Sequence, residues 1–279
     1  MAECTVGCIC YGGTICDRGS IKNKSGVLMN WIKRAFHRMG SPRFFYEGSR
    51  NWVIALFVFG IASVSLGTVW GLFYAPVERY QGETYRILYI HAPAAHLAQM
   101  IYIAIAIAGV VRLVWRMKMA DVFICCSAPI GAAYTALALG SGIIWGMPTW
   151  NTGWVWDVRT TPVLILLFLF FGLIALRQAI PRSDRAADAV ALLAVVGVVI
   201  IPVIKYALYF VTALHQNASI EIGKSAIDLS MLWPLFINLV GFCIFAAAAI
   251  LAAMRVEILK RSRSADWVRT ICIAPRSPE

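Results

Sequence analysis

The residues best suited to chemistry crowd into one stretch, positions 145–161, WGMPTWNTGWVWDVRTT. It holds four of the chain's ten tryptophans, Trp145, Trp150, Trp154 and Trp156, with Asp157 and Arg159 directly after them. Tryptophan favours the headgroup level of a bilayer, so an interfacial aromatic belt accounts for one or two of these rings. A belt does not need Gly146, Pro148 and Gly153 among them, and those residues favour a shaped loop. Four indoles, an acid and an arginine together suit a large, flat, amphipathic ligand. The ring faces would stack on its flat part and Arg159 would pair with a ligand carboxylate.

The chain has four histidines. His91 opens an apolar run in YIHAP, and His215 follows another in LHQ. Two neutral imidazoles from different parts of the chain can act together as metal ligands. Each alone, at an interface, is more often structural. His96 lies five residues after His91, about 140° round a helix, so the two cannot share a face. It reads as a polar residue packed inside the bundle. His37 lies in a basic tail and reads as solvated. Lys205 is a scarce charge in an apolar run. It either snorkels to an interface or marks the end of a span, with 206–214 as an interfacial helix leading to His215.

Those residues need elements to hold them. The chain has 279 residues, 60% hydrophobic and 14% charged, with mean hydropathy +0.74. That is too little polar surface for a soluble domain. Six runs are long enough to cross about 30 Å of hydrocarbon as helices: 52–74, 89–111, 122–145, 162–177, 189–210 and 231–253. No strand-like alternation recurs, which argues against a β-barrel. Pro76 follows the first span, Pro162 opens the fourth and Pro234 lies near the start of the sixth, where a missing N–H costs little. The expected fold is therefore an all-α membrane protein of six transmembrane helices.

Lysine and arginine set the expected orientation. Arg112, Arg116 and Lys118 follow the second span, and Arg177, Arg182 and Arg185 the fourth. Both tails are basic. The loops 75–88, 146–161 and 211–230 hold only Arg79, Arg86, Arg159 and Lys224. The positive-inside rule then puts both termini in the cytoplasm and the tryptophan loop on the outer, periplasmic face. The net charge of +11 is mostly this topology signal and needs no nucleic-acid partner. Three regions follow: a basic tail over 1–50, a six-helix membrane domain over 51–254 and a basic tail over 255–279. No signal-peptide pattern opens the chain, and Met29 in MNWIKRAFHRMG is a plausible start, which would leave 1–28 outside the functional chain.

Cys4, Cys8, Cys10 and Cys16 sit in the N-terminal tail, without the paired spacing of a zinc site. Cys125, Cys126, Cys243 and Cys272 fall in spans or near the C-terminus, so no disulfide is expected outside.

The tryptophan stretch resembles the WWD signature of the haem-handling proteins of cytochrome c biogenesis, and above all the six-span haem exporter protein C family (CcmC). The resemblance covers most of 50–255, including YIHAPAAH, MKMAD, APIGA and LHQ. It implies that His91 and His215 are axial ligands of a haem iron. Trp145, Trp150, Trp154, Trp156, Asp157 and Arg159 would complete the haem site. The cofactor would be b-type haem, held non-covalently and transiently. The resemblance implies haem display at the outer face of a bacterial inner membrane, or less readily a mitochondrial one, and delivery to the haem chaperone CcmE. The partners implied are the ATPase subunit CcmA, the membrane subunit CcmB and the small subunit CcmD. The chain has no Walker motif, so any ATP-driven step is expected to come from a partner, and the resemblance implies a carrier rather than an enzyme. Two further readings stay open, a membrane-embedded b-type haem oxidoreductase and a plain permease subunit of an ABC transporter. The chain departs from the family at several places. Phe210 and Val211 stand where two tryptophans are usual. Asn151, Gly153 and Thr160 replace the more usual Gly, Trp and Leu.

Overall fold

The computed structural model describes residues 40–180, 183–206, 220–221, 224–225 and 227–273. Their regular elements are helices apart from one short hairpin. Helix α1 is Pro42–Val69 and continues into a wider π turn, Trp70–Tyr74. A short 3-10 turn, Glu83–Ile87, leads into α2, Leu88–Trp115. Then come α3, Lys118–Trp150, and α4, Thr160–Ala179. Helices α5, Asp184–Gly197, and α6, Ile200–Tyr206, together make one crossing length. Strands β1, Ile220–Glu221, and β2, Lys224–Ser225, pair antiparallel before α7, Leu229–Arg261, and the short α8, Asp266–Ile273. Six helical stretches are long and apolar enough to cross a membrane, as expected.

The helices outrun the hydropathy. The first begins at Pro42, not near 52, and the last ends at Arg261, not near 253. Their polar ends are held by each other. The Arg255 guanidinium lies 4.1 Å over the Tyr46 ring and donates to the Ser49 hydroxyl at 2.9 Å and to the Tyr46 carbonyl. Tyr46 meets Trp267 of α8 at 5.8 Å. Hydrophobicity ends where lipid ends, whereas a helix continues as long as something satisfies its side chains.

The main core lies between α2, α3, α4 and α5, around Ile101, Ile105, Ile124, Leu166, Phe170 and Val190. Helix α1 stands at the edge and packs chiefly on α7. That contact is close because small residues face it. A Cβ on Gly60 would lie 2.8 Å from the Phe245 backbone nitrogen, and one on Gly67 2.8 Å from that of Asn238.

Asn238 is the residue sequence reading missed here. It is 0% exposed, in the middle of an apolar run. Pro93 has no N–H, so the Tyr89 carbonyl four residues earlier in α2 loses its helical donor. The Asn238 amide supplies one, Nδ2 to Tyr89 O at 2.9 Å, while its Oδ1 accepts from the Thr68 hydroxyl at 3.2 Å. One side chain thus ties α1, α2 and α7 together just below His91.

At the end opposite the tryptophans, charges pair between helices. Arg112, 2% exposed, donates to Asp184 at 2.8 Å and to Asp188 at 3.0 Å, and Arg116 also pairs with Asp188. Asp121, in the MKMAD segment, accepts from Arg177 at 3.1 Å and from Arg261 at 2.5 Å. Arginines that read as loop charge in the sequence therefore also clamp helix ends.

Candidate functional site

His91 sits in the first turn of α2, and α3 fixes its ring. The ring nitrogen Nδ1 lies 3.1 Å from the Ser141 hydroxyl. That hydroxyl has one proton, which it gives to the Leu137 carbonyl at 2.6 Å. It therefore accepts from His91, so Nδ1 carries the imidazole proton and the lone pair lies on Nε2. The Trp145 indole stands edge-on to the ring, centroids 5.6 Å apart and planes 77° apart. A Cβ on Gly142 would come 3.1 Å from His91 Cε1, so the ring lies tight on α3.

Trp145 is itself locked. It is buried, its Nε1 donates to Gln81 at 2.9 Å, and its edge meets Tyr85 at 5.9 Å. The first loop is braced from behind as well. The π turn frees the Gly71 carbonyl, which accepts from Arg86 at 3.0 Å. Trp145 thus joins the first loop, His91 and the start of α7 in one small apolar cluster with Met231 and Leu235. Gln81 carried no signal in the sequence.

The tryptophan segment divides into a helix end and a loop. Helix α3 runs through Gly146 and Pro148 to Trp150, five residues beyond the expected end. Asn151 then turns the chain with φ +55°. Only glycine, and next asparagine, enters that left-handed region at low cost, which explains why Asn151 can stand where the family usually has Gly. Asn151→Val is expected to cost about 1–2 kcal/mol, read as a lowered unfolding midpoint in detergent, whereas Asn151→Gly leaves it within about 0.5 kcal/mol.

Past Asn151 the loop folds back on α3. A Cβ on Gly146 would lie 2.8 Å from the Thr152 carbonyl oxygen, and one on Gly153 3.1 Å from Met147 Cε. A side chain at 153, such as the tryptophan usual there, would require Met147 and Ile143 to shift. Ser141, Gly142 and Trp145 face His91, whereas Ile143 and Met147, about half a turn round α3, face Gly153. The start of the loop and His91 therefore flank α3 on different sides.

Trp154 and Trp156 meet edge to face, centroids 5.3 Å apart and planes 79° apart. Trp156 is 72% exposed, so one large apolar face is open. Trp154 is half-buried, and its Nε1 has no acceptor among the described residues. Trp150 is half-buried on the last turn of α3. Asp157 caps α4: its Oδ1 accepts from the Arg159 N–H at 2.9 Å and the Thr160 N–H at 2.6 Å. The acid before the helix start at Thr160 was a readable signal for this capping role. Arg159 is half-buried beside it. Burial pulls its pKa below the ordinary arginine value, with the Asp157 charge opposing, and the guanidinium stays a cation.

His96 differs from expectation. It is exposed on α2 rather than packed in the bundle, with Nδ1 2.9 Å from the Ala92 carbonyl. The helical phase relative to His91 is right, but phase alone does not say which side has neighbours. Lys205 is exposed in the last turn of α6. His215, Phe210, Val211, His37, Met29 and the tail cysteines lie outside the described residues, as does 207–214 of the expected interfacial helix.

The residues on hand fit a porphyrin. They offer an imidazole with a fixed tautomer, an exposed indole face, an indole N–H without an acceptor and a guanidinium suited to a carboxylate. The family model described as "Heme exporter protein C" matches residues 35–269. A "Heme exporter protein C" of Haemophilus influenzae is 41% identical over 75% of this chain and 85% of its own length. One of Escherichia coli strain K12 is 36% identical over 86% of this chain and 97% of its own. A "Putative cytochrome c biosynthesis ccmC-like mitochondrial protein" of Marchantia polymorpha is 36% identical over 66% of this chain and 82% of its own.

Proposed function

Because this chain belongs to the heme exporter protein C family, we propose that it holds haem at the outer face of a bacterial inner membrane and presents it to the chaperone CcmE. Its role is in haem transport for cytochrome c biogenesis, as a multi-pass membrane component without catalytic chemistry of its own. The observation that carries the reading is the setting of His91. A ring nitrogen that donates to Ser141 leaves Nε2 as the ligating atom and fixes the ring plane before any iron arrives.

His215 supplies the second axial bond. Trp156 and Trp154 form a stacking edge, and Arg159 with the Trp154 N–H takes a propionate. Trp145 acts through His91 as a positioning residue, and Asp157 acts by setting the start of α4 and hence Arg159. Haem is cargo here: two imidazole bonds would hold a b-type haem without any covalent bond to the porphyrin, so release needs only those bonds to open. The energy for release comes from the ATPase subunit CcmA, with CcmB and CcmD as membrane partners. The positive-inside rule supports the orientation, with both termini cytoplasmic.

Replacing both Trp154 and Trp156 by alanine tests the loop. Aromatic contacts of this kind are worth about 0.5–1.5 kcal/mol each. The double variant should therefore retain haem about tenfold less tightly and load the chaperone proportionately less in co-purification. Unchanged retention and loading would remove the loop from the haem site.

A further inference from the structure

His96 has no place in the site just described, yet its chemistry is well defined. It is exposed on α2, within one of the six membrane-crossing stretches. The Ala92 carbonyl 2.9 Å away can only accept, so Nδ1 carries the proton and Nε2 the lone pair. No other hydrogen bond or ion pair to His96 exists among the described residues. A polar nitrogen left in hydrocarbon without a partner is costly, and such residues in a span mark function by default.

The helix face below it is apolar. Met100, 53% exposed, lies one turn deeper on the same face, and exposed Ile103 and Ile107 continue the stripe. The result is a lipid-facing wall with one nitrogen ligand near its top. The ligand that matches is flat, apolar on both faces, lipid-soluble and able to take one axial nitrogen, with any charged groups confined to an edge that reaches the headgroups. An iron porphyrin dissolved in the bilayer has these properties.

We propose that His96 is a lateral entry ligand, where a bilayer-dissolved iron porphyrin docks through Nε2 before it moves to His91. The inference rests on the haem-handling function proposed above. The step makes one coordination bond, from the Nε2 lone pair to iron, and displaces a weakly bound axial water. No electron is transferred, and the imidazole proton stays on Nδ1. His91 lies five residues nearer the helix start, about 7.5 Å along the axis and about 140° round it. The transfer breaks the bond from His96 Nε2 to iron as one from His91 Nε2 forms, a short movement up and around one helix.

The test uses the full-length chain in phosphatidylcholine nanodiscs with zinc protoporphyrin, which takes a single axial nitrogen and reports it as a red shift of its main absorption band. Protein carrying His91→Ala and His215→Ala should still give the shift, and adding His96→Leu should abolish it. No shift in the double variant, or an unchanged shift in the triple variant, overturns the proposal. With haemin dissolved in the same discs, His96→Leu alone should slow the appearance of the six-coordinate spectrum at least tenfold. An unaltered rate equally overturns it. If the otherwise unaltered protein takes up no haemin at all, the haem-handling function fails instead, and the two failures are told apart.

Discussion

His91→Ala abolishes the low-spin, six-coordinate haem spectrum expected of the purified protein. With one imidazole gone the iron is left five-coordinate or water-ligated, and its absorption becomes high-spin. The effect is all-or-none for the spectrum because no neighbour of the ring among the described residues can substitute. Ser141, Gly142 and Trp145, which surround the ring, offer no comparable iron ligand. The Ser141→Ala variant makes the argument finer. It removes the acceptor that holds the tautomer but leaves the ligand, so binding should weaken about 10- to 100-fold with the spectrum kept low-spin. Absorption spectra of ferric and reduced protein in detergent measure both. A low-spin spectrum that survives His91→Ala together with His215→Ala would end the axial assignment.

Asp121→Ala is expected to be the most destabilising single change at the opposite end, by about 3–5 kcal/mol. Asp121 is 4% exposed and accepts from two guanidiniums, one on α4 and one on α7. Arg261 keeps Glu257 at 2.7 Å when the aspartate goes. Arg177 loses its only ion-pair partner among the described residues and is left a largely buried, unpaired charge. Adding Arg177→Leu to Asp121→Ala should therefore recover stability, because the orphaned charge is then removed as well. Thermal unfolding in detergent orders the three variants, and a double variant less stable than Asp121→Ala would contradict the mechanism.

Much of this was legible in the sequence. Six apolar runs give six crossing helices because hydropathy reports directly on what lipid tolerates. The tryptophan segment and His91 stood out because their residue types are expensive to place together without a use. What stayed hidden depends on neighbours from distant parts of the chain. Gln81 meets Trp145 across 64 positions, and nothing local to either marks the pairing. Helix ends at Pro42 and Arg261 depend on Tyr46, Arg255 and Trp267 finding one another. Asp157 looked like a ligand-facing acid because its type was read before its position relative to α4. His96 was placed inside because a histidine in a span is expected to seek polar company, and the exposed face of α2 is set by packing that one helix cannot reveal.

Pro93 and Asn238 carry a consequence for how relatives of this chain can vary. The proline creates a need in α2 that the asparagine in α7 fills. Changing Asn238 to leucine alone strands the Tyr89 carbonyl, a loss of about 1–3 kcal/mol. Changing Pro93 to alanine alone returns a donor to that carbonyl and leaves the amide competing for it. Changing both removes the need and its remedy together, so the pair should cost less than the sum of its parts in a double-mutant cycle. The two positions lie 145 residues apart in the chain, yet each sets the cost of changing the other.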